Sequence, residues 1–321
     1  MMRWLLITNY GNPGDEWARM GVERLIRASD PAAAVETLRR DEGLETVEPR
    51  EFDRSVICGM PLVWSHEGHS TVTHPSWPAL SGWLSDGNRM IVAGFGTYLF
   101  LDATGEPCAH APEVLTTVQT QLFDRCRHVY GREFYPRHAF GLPGYPCPSI
   151  FAGWNLPRTR ARKLCNLMPH LTHYHVAVSQ VHYDAWKARL RGISDLLLEE
   201  GFTFMAHSQA ELDLALELDW PMMRIWRFDG DAEAFLRIYA NASHYFGNRI
   251  HGAIVSRSFG ARTLCVGCDT RLQAVQMAGG EAYPAAMLPS DDWIRGWASQ
   301  PPGPDLNLAA EWHLQLPAFR A

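Results

Sequence analysis

An arginine and a histidine two residues apart follow a glycine turn in Gly247-Asn248-Arg249-Ile250-His251-Gly252. The apolar run behind them, through Phe259, predicts a buried helix that opens at this pair. The first turn of a helix carries free backbone N–H groups and a partial positive charge, which suits a phosphate or carboxylate. Arg249 is therefore a candidate anion clamp. His251 is a candidate acid/base, because imidazole gains and loses a proton near neutral pH. The same residues also fit a capped core helix with a satisfied histidine.

Other residues add to this chemistry. Arg132 follows the apolar stretch ending in Tyr130-Gly131. Its guanidinium fork matches a carboxylate or phosphate, or simply pairs with Glu133. Arg271, in Asp269-Thr270-Arg271, is a third cation in a loop after a strand. His207 falls at another strand end and is either a ligand contact or structural. Gly11-Asn12-Pro13-Gly14-Asp15 lies between the first strand and the first helix. Asn12 and Asp15 can orient hydroxyls or cap the helix, and Gly14 permits close approach. This loop is neither a P-loop nor a dinucleotide fingerprint. Trp64 and His66, with His69, His74, Trp77 and Trp83, fit either a stacking surface for a sugar ring or an aromatic core. Cys265-Val266-Gly267-Cys268 has no second C-x-x-C, and His170 to His175 has no neighbouring carboxylates, so no metal is expected. A G-x-S-x-G nucleophile turn is absent.

These residues must be positioned by alternating strands and helices. Strands are predicted at 2–8, 55–59, 90–94, 127–131, 174–179, 202–206, 243–246 and 263–266. Helices are predicted at 15–28, 76–84, 112–124, 181–200, 210–218, 232–240, 249–259 and 271–278. Such alternation implies parallel sheets covered by helices, with ligands at the carboxyl ends of the strands. A Gly/Pro-dense stretch, Gly141 to Pro148, divides the 321 residues. The expected architecture is α/β, with two Rossmann-like domains at 1–150 and 151–321 and a cleft between them. The tail after Pro289, with Trp293, Trp297 and Trp312, is expected to pack back across the domains.

The formal net charge of −6 and the lack of a long basic run exclude a general nucleic-acid footprint. Any anion must be gripped locally. Met2 to Thr8 reads as a buried strand rather than a signal peptide, and no apolar run is long enough to span a membrane. Seven scattered cysteines fit a reducing, cytoplasmic setting.

Taken in order, several pieces resemble the polysaccharide pyruvyl transferase family over roughly residues 5 to 275. They are Gly11 to Asp15, Cys58-Gly59, Gly94-Phe95-Gly96, Val129 to Glu133, Tyr145 to Ser149, Arg249 to Gly260, and Asp269 to Arg271. Where the family often carries a glycine run, this chain has Gly59-Met60-Pro61-Leu62-Val63-Trp64.

The resemblance implies two Rossmann-like domains in a GT-B-like arrangement. It also implies transfer of a pyruvyl group from phosphoenolpyruvate to a sugar or glycan-lipid acceptor, forming a ketal without a cofactor. Arg249, Arg132 and Arg271, with His207, would hold the donor, and His251 would move the proton. Asn12, Gly14, Asp15, Trp64 and His66 would serve the acceptor side. Two alternatives remain open. One is a GT-B-type glycosyltransferase using a nucleotide-sugar, with Glu211 or Asp213 on the ribose. The other is a non-catalytic sugar- or anion-binding protein.

Overall fold

The computed structural model describes residues 1–9, 11–39, 47–48, 51–66, 70–73, 90–107, 120, 125–171 and 180–320. The helices expected at 76–84 and 112–124 (position 120 apart) and the strand at 174–179 lie outside the described residues. So do His69, His74, Trp77, Trp83, His173 and His175.

The first sheet is built from β1 (Arg3–Thr8), β2 (Ala34–Arg39), β3 (Arg54–Cys58), β4 (Pro61–His66), β5 (Ser70–Thr73), β6 (Met90–Tyr98) and β7 (His128–Gly131). Its order is β2-β1-β3-β6-β4-β5, with β7 also on β6. All pairings are parallel except the β4–β5 hairpin. Every position of β6 is buried, as expected for a central strand covered on both faces.

The second sheet contains β8 (Arg162–Asn166), β9 (Thr203–Ala206), β10 (Ile225–Arg227), β11 (Ala242–Gly247), β12 (Arg262–Gly267) and β13 (Glu281–Pro284). Its order is β10-β9-β8-β11-β12-β13, all parallel. In chain order this is 3-2-1-4-5-6, the doubly wound arrangement in which the strand order reverses beside the first strand. The reversal lies between β8 and β11. The turn carrying Arg249 and His251 therefore opens at that crevice.

Helix α1 (Pro13–Ser29) starts with Pro13 in its first turn, and Asn12 accepts the Gly14 N–H at 3.1 Å. It buries Trp17, Ala18, Gly21, Val22, Leu25 and Ile26. Gly21 faces the Pro148–Phe151 turn so closely that a Cβ there would stand 1.9 Å from the Pro148 carbonyl oxygen. Gly21→Ala must push helix and turn apart. The expected loss is about 1–3 kcal/mol, the usual cost of overpacking, read as a lower urea midpoint with unchanged slope.

The two lobes are sewn together along their facing edges. Leu101 N–H donates to Cys268 O and Thr270 N–H to Leu99 O, both at 2.9 Å. The Thr97 and Thr270 hydroxyls lie 2.9 Å apart. Trp17 of α1 donates its indole N–H to Ala232 O at 2.9 Å.

The end of the tail packs back across the lobes. Its last helix (Leu308–Gln315) and the following turn return to the first lobe. Gln315 accepts from Tyr130 at 2.9 Å and donates to Pro146 O at 3.0 Å. Trp312 rests on Phe151 and Trp154 where the chain crosses between lobes. Trp297 belongs instead to the second core, and Trp293 is largely exposed at its rim.

Candidate functional site

The carboxyl ends of the two sheets face one another, and the residues singled out above meet there. From the first lobe come the Asn12–Gly14 turn after β1, Gly59 after β3, Gly96 and Thr97 at the end of β6, and Arg132 after β7. From the second come Asn166 at the end of β8, His207 after β9, Arg249 and His251 after β11, and Asp269 to Arg271 after β12. We number the second-lobe helices that hold them α2 (Gln209–Glu217), α3 (Ile250–Ser258) and α4 (Leu272–Met277).

His251 is the meeting point. Its Nε2 lies 3.1 Å from the Arg132 Nη1 of the other lobe. A guanidinium only donates, so Nε2 accepts and the ring proton sits on Nδ1. The opposite side of the ring presses on α1, where a Cβ on Gly14 would come within 2.4 Å of Nδ1. Only glycine leaves that space. Burial, then the Arg132, Arg271 and Arg249 guanidiniums, hold the His251 pKa well below its ordinary value. The imidazole is therefore neutral at pH 7. It can act as an acid only after something anionic offsets the surrounding positive charge.

Each of the three arginines has a carboxylate of its own. Arg249 gives Nε to the Glu211 Oε1 at 2.7 Å, and its Nη2 reaches the same oxygen. Arg271 makes a two-pronged pair with Asp269, at 2.8 and 2.9 Å, and its guanidinium lies 3.9 Å from the Tyr98 ring centre. Arg132, 2% exposed, has its Nε 3.6 Å from the fully buried Glu133. Its Nη1 also reaches the Gly59 carbonyl and lies 3.7 Å from the Cys147 sulfur.

Arg249 and His251 leave one turn in different directions. Arg249 turns into the second lobe towards α2, while His251 crosses to the first. Glu211 is 1% exposed and also accepts from Asn166 Nδ2 at 2.8 Å and the His207 N–H at 2.6 Å. That corrects the expectation of Glu211 as a ribose acceptor: its oxygens are already in use. Asp213 faces solvent beside Gln209.

His207 is enclosed rather than presented to a ligand. Its Nε2 lies 2.6 Å from the Tyr239 hydroxyl, among Trp17, Phe235 and Tyr239. Burial, with Arg249 and His251, keeps its pKa well below the usual value. Asn12 caps α1 and also donates to Asp15 at 3.2 Å. Trp64 and His66 lie on β4, and their side chains fall outside the described residues.

Sequence reasoning missed the role of Glu133 as an interior acid. Thr97 donates its N–H and hydroxyl to Oε2 at 2.8 and 2.7 Å, while Oε1 has no hydrogen-bond partner. Burial raises its pKa to about 7 despite Arg132 and the Thr97 hydrogen bonds, and Asp269 adds to the rise. The Arg132-Glu133 dipeptide is the only trace of this in the sequence. Among the described residues no cluster of histidine, cysteine and carboxylate side chains could hold a metal ion, and no helix is long and apolar enough to cross a membrane.

No protein-family model matches the chain, and no curated protein matches it. Solved structures do. A Methanocaldococcus jannaschii UDP-GlcNAc 2-epimerase, solved with UDP-GlcNAc and UDP, is similar at a TM-score of 0.54 and 8% identity, covering 98% of each chain. A candidate UDP-N-acetylglucosamine 2-epimerase from Listeria monocytogenes is similar at a TM-score of 0.53 and 10% identity, covering 99% of this chain and 89% of that one. The architecture is thus two Rossmann-like domains of GT-B type, as the sequence predicts. The expected pyruvyl transfer from phosphoenolpyruvate is overturned. These two similar structures are UDP-GlcNAc 2-epimerases, not pyruvyl transferases. Within the site, the three arginines each lie beside an internal carboxylate, and His251 is a hydrogen-bond acceptor of Arg132.

Proposed function

We propose that the protein is a GT-B-type enzyme acting on a sugar carried by a nucleoside diphosphate, in the manner of a glycosyltransferase. The observation that carries this reading is the contact of Arg132 with His251 across the two lobes, with the Arg271 and Arg249 charges close enough to act on that histidine, at the facing carboxyl ends of two parallel sheets. The fold supports it, since the Methanocaldococcus relative holds UDP-GlcNAc and UDP on the same architecture.

The internal carboxylates orient the cations without exhausting them. Arg249 and Arg271 each spend Nε and Nη2 on Glu211 or Asp269. Their Nη1 groups remain as donors, and their side chains are 15% and 27% exposed. Helix α3 has Arg249 at its N-cap and no cap hydrogen bond from that side chain, and a helix start is a favourable place for phosphate oxygens. A diphosphate placed there would neutralise the cluster and raise the His251 pKa toward its ordinary range. Binding of the charged leaving group would then favour protonated His251, whose charge stabilises the departing phosphate oxygens.

Thermal unfolding with UDP, ADP and GDP tests the reading. One of them, at about a hundred times its dissociation constant, should add about 2.7 kcal/mol of stability. Arg249→Ala, once shown to be folded, should abolish that gain. Absence of stabilisation by all three nucleotides, or a gain that persists in both Arg249→Ala and Arg271→Ala, would overturn it. Release of nucleoside diphosphate from the matching nucleotide-sugar then separates an enzyme from a binding protein.

A further inference from the structure

The outer edge of the second sheet carries a surface that the nucleotide site does not use. The stretch Pro221-Met222-Met223-Arg224-Ile225-Trp226-Arg227 forms a short 3-10 turn followed by the edge strand β10. Met222 is 66% exposed, Met223 89% and Trp226 43%. Most large apolar side chains of this protein are inside, so three within five residues at one edge call for a partner. Arg224 and Arg227 stand among them. Arg224 donates only to the Leu198 carbonyl, at 3.1 Å, and neither arginine has a carboxylate partner among the described residues.

Of the acids flanking the stretch, Asp219 is paired with Arg191 at 2.9 Å. Asp229 accepts the Asp231 N–H at 3.1 Å, and Asp231 caps the following helix by accepting the Glu233 and Ala234 N–H groups at 3.0 and 2.9 Å; both keep their charge on the side of Arg227 that leads into the helix. The stretch itself presents two thioethers, one indole and two guanidiniums that have no ion-pair partner among the described residues.

A second copy of the chain fits this surface poorly. β10 is three residues long, and antiparallel pairing of two such edges would crowd four arginines together. A phospholipid surface fits it well. Methionine and tryptophan side chains settle at the boundary of head groups and acyl chains, while arginine bonds lipid phosphates and keeps its charge in the polar layer.

We infer that this edge docks the protein on a bilayer containing anionic phospholipid, with Met222, Met223 and Trp226 entering the interface and Arg224 and Arg227 on the phosphates. The chain as a whole carries −6, so the attraction is local and depends on this patch.

Co-sedimentation of the full chain with vesicles tests the inference. Vesicles of equal parts phosphatidylcholine and phosphatidylglycerol should carry the protein down. Pure phosphatidylcholine should carry far less, and added salt should release it. Each arginine near an anionic surface contributes roughly fivefold in affinity, so the Arg224→Gln/Arg227→Gln variant should bind about 25-fold more weakly. Met222→Ser/Met223→Ser should also lose binding, with an unchanged unfolding temperature because both side chains are exposed.

Equal sedimentation of wild type and both variants would overturn the inference. Failure of the wild type to bind anionic vesicles would do so as well. A concentration-dependent dimer that both variants abolish would assign the edge to a second copy instead.

Discussion

Glu211→Ala is expected to lower stability by about 3–5 kcal/mol, the range for breaking one side of a buried ion pair. The loss arises less from the missing attraction than from what is left behind. Without the carboxylate, the Arg249 guanidinium loses its ion-pair partner and the buried His207 N–H loses its acceptor, while the Asn166 amide keeps only the Met205 carbonyl. The urea midpoint should fall with little change in slope, since the same surface is exposed on unfolding. A double-mutant cycle separates an orphaned charge from a packing defect. Removing Arg249 as well relieves the unpaired guanidinium, so the double variant should lose distinctly less than the sum of the two single changes. Additive losses would mean that the pair contributes nothing as a pair.

This prediction rests on a contact no sequence pattern announces. Glu211 sits in Gln209-Ala210-Glu211-Leu212-Asp213, which has the composition of a solvated helix face. Its burial is decided by Arg249, 38 residues further on. The turn that carries Arg249 and His251 was legible, because a glycine that closes a strand and an apolar helix behind it are local signals. The pairing of His251 with Arg132 was not, because those residues are 119 apart and belong to different lobes. Sequence periodicity located the buried strands β1, β6 and β11 for the same local reason. The edge strands Ala34–Arg39 and Ile225–Arg227 escaped it, since neither shows a continuous apolar run or a regular alternation. The tail was expected to pack back across the domains, but composition could not show which contact carries it. That return depends on Gln315 finding Tyr130 and Pro146 across the molecule. The resemblance that pointed to pyruvyl transfer followed the order of loops at strand ends. It predicted the two-lobed fold and missed the chemistry, because one fold hosts many reactions.

Glu133 should leave a distinct mark on the pH dependence of stability. Its carboxyl titrates at about 7 in the folded chain, against an ordinary value of 4.5. Between those values the unfolded chain has lost this proton and the folded chain retains it. Stability therefore falls as pH rises through that window and levels off above it, a loss of about 3 kcal/mol at roughly 1.4 kcal/mol per unit. Oε2 accepts both Thr97 donors, which leaves Oε1 as the oxygen free to carry a proton. His207 and His251 act in the opposite sense. Their folded values lie below the ordinary 6.5, so they add stability above 6.5 that is lost as pH falls. The wild-type curve sums these opposing slopes, and Glu133→Gln isolates one of them. The amide can still accept from Thr97, and it cannot ionise. Urea midpoints measured from pH 5 to pH 8 should rise more steeply with pH in the variant than in the wild type. The wild type should give up most of its relative advantage before pH 7. Parallel curves would show that Glu133 is ionised throughout, with Arg132 rather than burial controlling its charge.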